Sequence, residues 1–216
     1  MESRKTPSET LDEIRSMMER SSRFISLSGL SGVAAGLFAI FGAALVYLYL
    51  DMTPFVGGKK LYYVEAIHSS KWGMNYITFF LLDAIFVLIG AISCGIFFTT
   101  RKAKRKGQKI WDALSQRLLI NLMIPLATGG MFCLGLLYHS FFGFVAPTTL
   151  VFYGLALVNA SKYTLPDIRN LGYCEIILGL LAMFFLGYGL EVWMIGFGFL
   201  HIIYGTLMYW KYESAE

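Results

Sequence analysis

The chain has 216 residues, of which 56% are hydrophobic and 15% are charged, and its formal net charge at pH 7 is +4. Soluble domains carry about 25% charged residues, so this chain has too few to cover a water-soluble globule. The charged residues also concentrate in short stretches, and the long segments between them are almost free of charge. This composition excludes an ordinary soluble domain and indicates a membrane protein.

Six apolar segments are long enough to cross the hydrocarbon layer, which takes about 20 residues of α-helix. A transmembrane β-barrel would instead show segments of about ten residues with alternating polarity, and the sequence has none. The predicted fold is an all-α membrane protein, a compact bundle of six transmembrane helices within residues 24–210. The predicted spans are Phe24–Leu50, Tyr76–Thr100, Leu118–Tyr138, Phe141–Ala160, Leu171–Leu190 and Val192–Trp210.

Residues 1–23 form a mixed-charge arm ahead of the first span. Thr10 and Glu13 match a capping box, which marks the start of a helix, and apolar residues follow at helical spacing. We therefore expect a short amphipathic helix that lies in the membrane interface and leads into the first span. A docking surface for a soluble partner is the alternative interpretation. Because the arm is mixed-charge, we do not expect it to be a cleaved secretory signal.

Lys and Arg residues indicate on which side of the membrane each connection lies, because cytoplasmic loops carry an excess of them. Of the 18 Lys and Arg residues, fifteen fall in the arm, in the second and fourth connections and in the tail, residues 211–216. Only Lys59, Lys60 and Lys71 fall on the opposite side. This asymmetry predicts that the N-terminus and the C-terminus are both cytoplasmic.

Two features of the spans predict how the helices pack and bend. Ser28, Gly32 and Gly36 place a small residue at every fourth position of the first span, which lets two helix backbones approach closely. The partner is either another helix of the same chain or, in a homodimer, a second copy. Pro125 and Pro147 each remove a backbone donor and predict kinks in the third and fourth spans.

Ionisable residues inside spans are costly and usually face the interior of the bundle. Asp83 and His201 lie at similar predicted depths, roughly 12–15 Å below the outer boundary at 1.5 Å per residue. They can therefore pair, either as the proton site of a transporter or as a structural hydrogen bond between helices. Glu175 lies one turn inside the inner end of the fifth span, where the helix dipole favours a carboxylate. We interpret it as an ordinary helix-end residue.

A basic run follows the second span. Basic residues on the cytoplasmic side set the topology and attract anionic lipid headgroups, so the bilayer and these headgroups are the predicted partners. Nucleic acid is not a predicted partner, because the chain has no accessible basic domain. The predicted headgroup contacts are Arg101, Lys102, Lys104, Arg105 and Lys106.

The sequence contains no pattern that predicts catalysis or a bound cofactor. Cys94, Cys133 and Cys174 are isolated in apolar segments, whereas disulfide and zinc sites need clustered ligands. An intramembrane enzyme needs a nucleophile or a metal with a base in reach, and no nucleophile can be named. We therefore expect neither a metal nor a cofactor, and we do not expect an enzyme.

Several segments carry a resemblance to other proteins. These are LVNASKYT at residues 157–164, LGYCE at 171–175, GFG at 196–198 and HIIYG at 201–205, together with the start from Ile14 to Gly36. In these segments the chain resembles small uncharacterised six-span membrane proteins of Bacteroidota. The resemblance implies a location in the bacterial inner (plasma) membrane, and it implies no activity.

Two functional hypotheses follow from the residues. The first is a non-enzymatic bundle that acts as an interaction or accessory subunit for a membrane protein partner. The alternative is a small proton-coupled transporter that uses Asp83 and His201. A water-lined cavity at Asp83 would favour transport, whereas a dry core would favour the accessory role.

Overall fold

The computed structural model describes residues 27–53, 55, 70–107 and 110–214, and these residues are mostly helical. A two-stranded antiparallel hairpin, β1 (Ser70–Lys71) and β2 (Met74–Asn75), precedes the second helix. Short 3₁₀ turns, Phe142–Phe144 and Ser161–Tyr163, flank the fourth helix. The long helices are α1 (Gly29–Leu50), α2 (Tyr76–Arg105), α3 (Ala113–Tyr138), α4 (Val145–Ala160), α5 (Asp167–Phe184) and α6 (Gly189–Tyr212).

The predicted all-helical class is confirmed, and five of the described helices are long and apolar enough to cross a membrane. These five are α1, α2, α3, α4 with its flanking turns, and α6. Helix α5 has 18 residues and begins with the polar segment Asp167–Asn170. The predicted interfacial helix of the N-terminal arm lies outside the described residues.

Polar caps explain where two of these helices begin. The Asn75 side chain accepts a hydrogen bond from the Thr78 N–H over 2.8 Å at the start of α2. Asp112 accepts from both the N–H and the hydroxyl of Ser115, over 2.7 and 2.6 Å, at the start of α3. These two bonds stabilise the ionised carboxylate and lower the pKa of Asp112 below its usual value. Both caps satisfy N–H groups that a helix leaves without partners at its first turn.

The small-residue face of α1 packs against α6. A Cβ atom added to Gly32 would lie 3.2 Å from the Gly205 Cα, and one added to Gly36 would lie 2.6 Å from the Gly198 carbonyl oxygen. Ser28, the first residue of the predicted stripe, is 4% exposed and donates its hydroxyl to Glu213 over 3.1 Å. The stripe therefore faces a helix of the same chain.

Helix α5 packs on α4 in the same close manner. A Cβ atom added to Gly154 of α4 would lie 2.6 Å from the Gly172 carbonyl oxygen, and one added to Gly179 of α5 would lie 2.9 Å from the Pro147 carbonyl oxygen. The second contact is further along α5 and nearer the start of α4, so the two helices are antiparallel and touch over most of their lengths. Helix α2 lies on the other side of α1, and α3 lies on α4.

The two prolines occupy different places in their helices. Helix α3 continues through Pro125, and Thr128 donates its hydroxyl to the Ile124 carbonyl over 2.8 Å. Pro147 instead lies in the first turn of α4, where a helix N–H has no partner within the helix and proline is tolerated. The predicted interruption of a span at Pro147 is corrected accordingly, because this proline lies in the first turn of α4 and not in its interior.

Lys102 differs from the rest of its basic run. Its side chain is 8% exposed, its Nζ lies 3.2 Å from Glu213 Oε1, and it donates to the Leu27 carbonyl over 2.8 Å. Glu213 Oε1 also accepts the Gly29 N–H at the start of α1 over 2.5 Å. Lys102 is therefore a structural link between helix ends, which corrects its predicted role as a headgroup contact. Its neighbours Arg101, Lys104 and Arg105 are exposed.

Candidate functional site

The structure does not bring Asp83 and His201 together. Asp83 faces α1, where its Oδ2 would lie 3.2 Å from a Cβ added to Gly42, and its buried Oδ1 accepts no hydrogen bond from the described residues. His201 extends from α6 and lies against Tyr153 of α4 and Glu175 of α5. The predicted pairing of the two side chains is wrong because α2 and α6 pack on different faces of α1.

Both ring nitrogens of His201 have partners within hydrogen-bonding distance. Nδ1 lies 3.0 Å from the Gly196 carbonyl oxygen, and Nε2 lies 2.8 Å from the Tyr153 hydroxyl. Because a carbonyl oxygen can only accept, Nδ1 carries the hydrogen, and in the neutral ring Nε2 accepts from Tyr153. His201 is 5% exposed, near the middle of α6.

Glu175 is the acidic member of a cluster that it forms with His201 and Tyr153. Its Oε1 lies 3.4 Å from His201 Nδ1, the residue is 0% exposed, and neither carboxyl oxygen accepts a hydrogen bond from the described residues. Its Oε2 would lie 2.5 Å from a Cβ added to Gly196, so the missing side chain at this glycine makes room for the carboxyl group. Burial of a carboxyl without donors is costly, which makes Glu175 a candidate functional residue.

The helix that supplies His201 is locally widened at this cluster. Residues Met194–Leu200 of α6 form a π-helix, and both Gly196 and Gly198 lie within it. Such π segments are rare, and they often occur at functional sites. Here the widened turn exposes the Gly196 carbonyl to the imidazole and places the glycine itself against Glu175.

The 3.4 Å separation of Glu175 Oε1 and His201 Nδ1 allows two arrangements of one proton. An ion pair of protonated His201 with ionised Glu175, and a neutral imidazole beside a protonated Glu175, contain the same number of protons. Interacting groups of this kind titrate as a pair and not as separate residues. Removal of the shared proton would leave an uncompensated charge in the core, at a cost of several kcal/mol.

Aromatic rings cover one side of the cluster. The ring of Phe197 lies 4.9 Å from that of Tyr153, 5.8 Å from that of His201 and 5.0 Å from that of Trp193, measured between centroids. Trp193 stands at the beginning of α6, so the stack extends from the cluster towards that end of the helix. The ring of Phe197 is stacked on that of His201 with 21° between their planes, and the other two pairs are tilted by 46° and 41°.

Less apolar side chains approach from the opposite direction, along the seam between α5 and α6. The Cys174 sulfur lies 3.8 Å from the Tyr204 hydroxyl, and both residues are half-buried. At the end of the seam, Asp167 accepts hydrogen bonds from Tyr212 over 2.6 Å and from Lys211 over 2.9 Å. Titratable side chains thus occur from the helix ends up to the buried pair.

A second concave feature, a groove along α3, lies apart from this cluster. The groove along α3, between Ala127 and Phe141, is lined mainly by apolar side chains and does not include Asp83, Glu175 or His201. Within the part of the chain that the structure describes, no three His, Cys, Asp or Glu side chains are grouped to hold a metal ion.

The described helices define a class: a helical protein compatible with integral insertion into a membrane. No protein-family model, curated protein or solved structure matches this chain. The resemblance to six-span proteins of Bacteroidota therefore stays a prediction, and the cluster has to be interpreted from its own chemistry.

Sequence reasoning named His201 but missed its partners. The predicted fifth span begins at Leu171 and so places Glu175 one turn inside a helix end, whereas α5 begins at Asp167, two turns before Glu175. Tyr153 has no distinguishing pattern around it. One signal was present in the sequence: Gly196 and Gly198 precede His201 by five and three residues in the predicted sixth span. Glycines inside an apolar helix often mark a close approach by another group.

Proposed function

We propose that this chain is a six-span protein of the bacterial inner membrane with both termini in the cytoplasm, and that it is a small transporter of protons. The span to be added to the five long apolar helices is α5, whose 18 residues extend for roughly 27 Å at 1.5 Å per residue. This length is close to the roughly 30 Å of the hydrocarbon layer. Since α5 lies antiparallel against α4 along most of its length, a membrane that contains α4 also contains α5.

The topology is open to a direct test with reporter fusions. We expect fusions after Ser115 and after Tyr212 to report the cytoplasm and a fusion at Gly58 to report the outside, because of the asymmetric distribution of Lys and Arg. The measurement is the activity of a paired reporter that works on only one side of the membrane. A cytoplasmic signal at Gly58 would overturn the proposed orientation.

One observation carries the transport proposal: a fully buried carboxyl group, accepting no hydrogen bond from the described residues, lies 3.4 Å from a buried imidazole. Ionisable groups within the membrane are rare and often mark proton relays. Glu175 and His201 thus take the part that the sequence assigned to Asp83 and His201. The third member, Tyr153, holds the imidazole in one orientation through its hydroxyl.

The proton is the ligand that suits this geometry. Glu175 Oε2 already fills the space above Gly196, and a side chain as small as a methyl group at Gly196 would overlap it. A solute or a hydrated cation would need room that this packing does not leave. A proton needs none, and its binding removes the charge that makes the buried carboxyl costly.

The basic residues indicate which lipid headgroups the proposed transporter contacts. Arg101, Lys104 and Arg105 are exposed at the end of α2, and in this orientation they contact anionic headgroups of the cytoplasmic leaflet. Lys106, the last predicted headgroup residue, lies just beyond the same helix end. The accessory-subunit role, with a membrane protein partner or a second copy, is the competing outcome of the experiment that follows, and the close packing around Glu175 and the position of the described groove away from Asp83 favour it.

Replacement of Glu175 by glutamine tests the proposed transport. In proteoliposomes loaded with a pH-sensitive dye, a potassium diffusion potential should drive proton entry above the level of empty liposomes. We expect Glu175→Gln to reduce this flux at least tenfold, because an amide cannot release and rebind a proton. Glutamine has nearly the same shape, so the fold should persist.

Asp83→Asn is the matched control for this experiment. Asp83 is also an acidic residue within a span, but it lies at the α1–α2 contact away from His201, so its removal should leave the flux within twofold of the wild type. Equal fluxes for the wild type and Glu175→Gln would contradict proton transport and favour the accessory role. Loss of flux only in Asp83→Asn would move the proton site to α2.

A further inference from the structure

The Glu175 cluster has two unlike sides. Towards the Gly189 end of α6 lie the rings of Tyr153, Phe197 and Trp193. The centroid of the Phe197 ring is 4.9 Å from that of Tyr153 and 5.0 Å from that of Trp193. Towards the Tyr212 end, it meets the Cys174–Tyr204 contact. This asymmetry bears on the path that a proton takes to the buried carboxyl.

The polar side chains of the second side share one face of each helix. On α6, His201, Tyr204 and Tyr212 recur at helical spacing, and on α5, Asp167 and Cys174 are two turns apart and Cys174 directly precedes Glu175. The spacing turns these groups towards the α5–α6 contact. Half-buried Cys174 and Tyr204 therefore stand between the buried pair and the exposed ends of the helices.

Several observations show that this seam ends at a polar surface. Asp167 at the start of α5 binds the Tyr212 hydroxyl over 2.6 Å and the Lys211 ammonium over 2.9 Å. The Lys211 side chain is 59% exposed, so these groups lie where water is available. Apolar side chains, including Leu171 and Met208, line the rest of the seam, so the route is narrow.

We propose that Glu175 exchanges its proton with the cytoplasm along the α5–α6 seam, past Cys174 and Tyr204, while the stack of Tyr153, Phe197 and Trp193 closes the site towards the outside. This inference rests on the proposed function and on its topology, since these define the cytoplasmic end. The titratable groups that face the exchange path are His201 and Tyr204 of α6 and Cys174 of α5, with Asp167, Lys211 and Tyr212 at its polar end. Tyr153 of α4 faces His201 from the closed side. Each proton that Glu175 binds is later released, so the exchange needs no oxidant, reductant or other reactant.

Thiol labelling at Cys174 tests the open side directly. In a variant with Cys94→Ala and Cys133→Ala, Cys174 is the single thiol of the chain. A small, charged, membrane-impermeant methanethiosulfonate reagent is applied to inside-out and to right-side-out vesicles, and the residual thiol is counted after denaturation. We expect labelling at least tenfold faster in inside-out vesicles, where the cytoplasmic face is exposed.

The other labelling outcomes overturn the inference. Faster labelling from the outer face would reverse the direction of access, and no labelling from either face, with full labelling after denaturation, would show that the seam is closed to water. Labelling does not depend on proton binding by Glu175. An unchanged flux in Glu175→Gln therefore rejects the transport proposal alone, and the labelling result rejects the access path alone.

Phe197→Ala tests the closed side. Loss of this ring opens the stack between Trp193 and Tyr153, so we expect the dye-monitored proton flux to rise at least threefold and Cys174 labelling to become measurable from the outside. Phe199→Ala is the control, because Phe199 lies on the same helix and is 47% exposed. Equal behaviour of the two variants would show that the aromatic stack does not close the site.

Discussion

Replacement of Gly36 by leucine should destabilise the folded protein by about 3 kcal/mol, at the upper end of the usual cost of overpacking. The first added carbon would lie 2.6 Å from the Gly198 carbonyl oxygen and 3.1 Å from the Ile202 backbone nitrogen. These are backbone atoms of α6 and cannot turn away as a flexible side chain does. The leucine can be accommodated only if α1 and α6 move apart.

Thermal unfolding in detergent measures this effect, with Gly95→Leu as the control. Gly95 lies in α2, and a Cβ atom added there meets nothing within 4 Å, so the same chemical change should alter the midpoint little. A common shift in both variants would show that the loss arises from glycine replacement in general and not from the contact between α1 and α6.

Replacement of His201 by phenylalanine should cost about 3–5 kcal/mol at pH 8, the range expected when one member of a buried pair is removed. The phenyl ring fits the aromatic stack but offers no charge or hydrogen to Glu175, and it leaves the Tyr153 hydroxyl without the imidazole nitrogen. The loss should be smaller at pH 5, because a protonated Glu175 buries no charge.

The double variant Glu175→Gln, His201→Phe separates the two contributions to this loss. If the unpaired carboxyl is the main cost, the double variant should be more stable at pH 8 than His201→Phe alone, and its stability should depend less on pH. Chemical denaturation at both pH values gives the four free energies of a double-mutant cycle. Additive effects would contradict an energetic link between Glu175 and His201.

The parts of the fold that depend on local properties were predictable from sequence. Whether a segment is long and apolar enough to cross a membrane can be counted along the chain, and the predicted ends Tyr76, Leu50 and Tyr138 coincide with the ends of α2, α1 and α3. Helix α2 continues to Arg105, beyond the predicted end at Thr100. The prediction ended the span where the apolar segment ends, but basic residues can continue a helix outside the membrane.

The pairings between helices were not predictable in the same way. The depths of Asp83 and His201 follow from counting residues, but depth does not determine which helices are neighbours. Glu175 was given an ordinary role because only the packing of α4 and α6 around it shows that it is enclosed. Lys102 was grouped with its basic neighbours, since its partner Glu213 is more than a hundred residues away in the chain.

The contact of α1 with α6 also has a consequence for biosynthesis. Gly29 and Glu213 are separated by 184 positions, which a ribosome takes roughly 10–40 s to translate at about 5–20 residues per second. During this interval the glycine face of α1 has entered the bilayer without the helix that covers it. The nascent chain thus exposes this glycine face first and supplies the helix that covers it last, so a prematurely terminated chain would present that surface to other membrane proteins or to quality-control proteases.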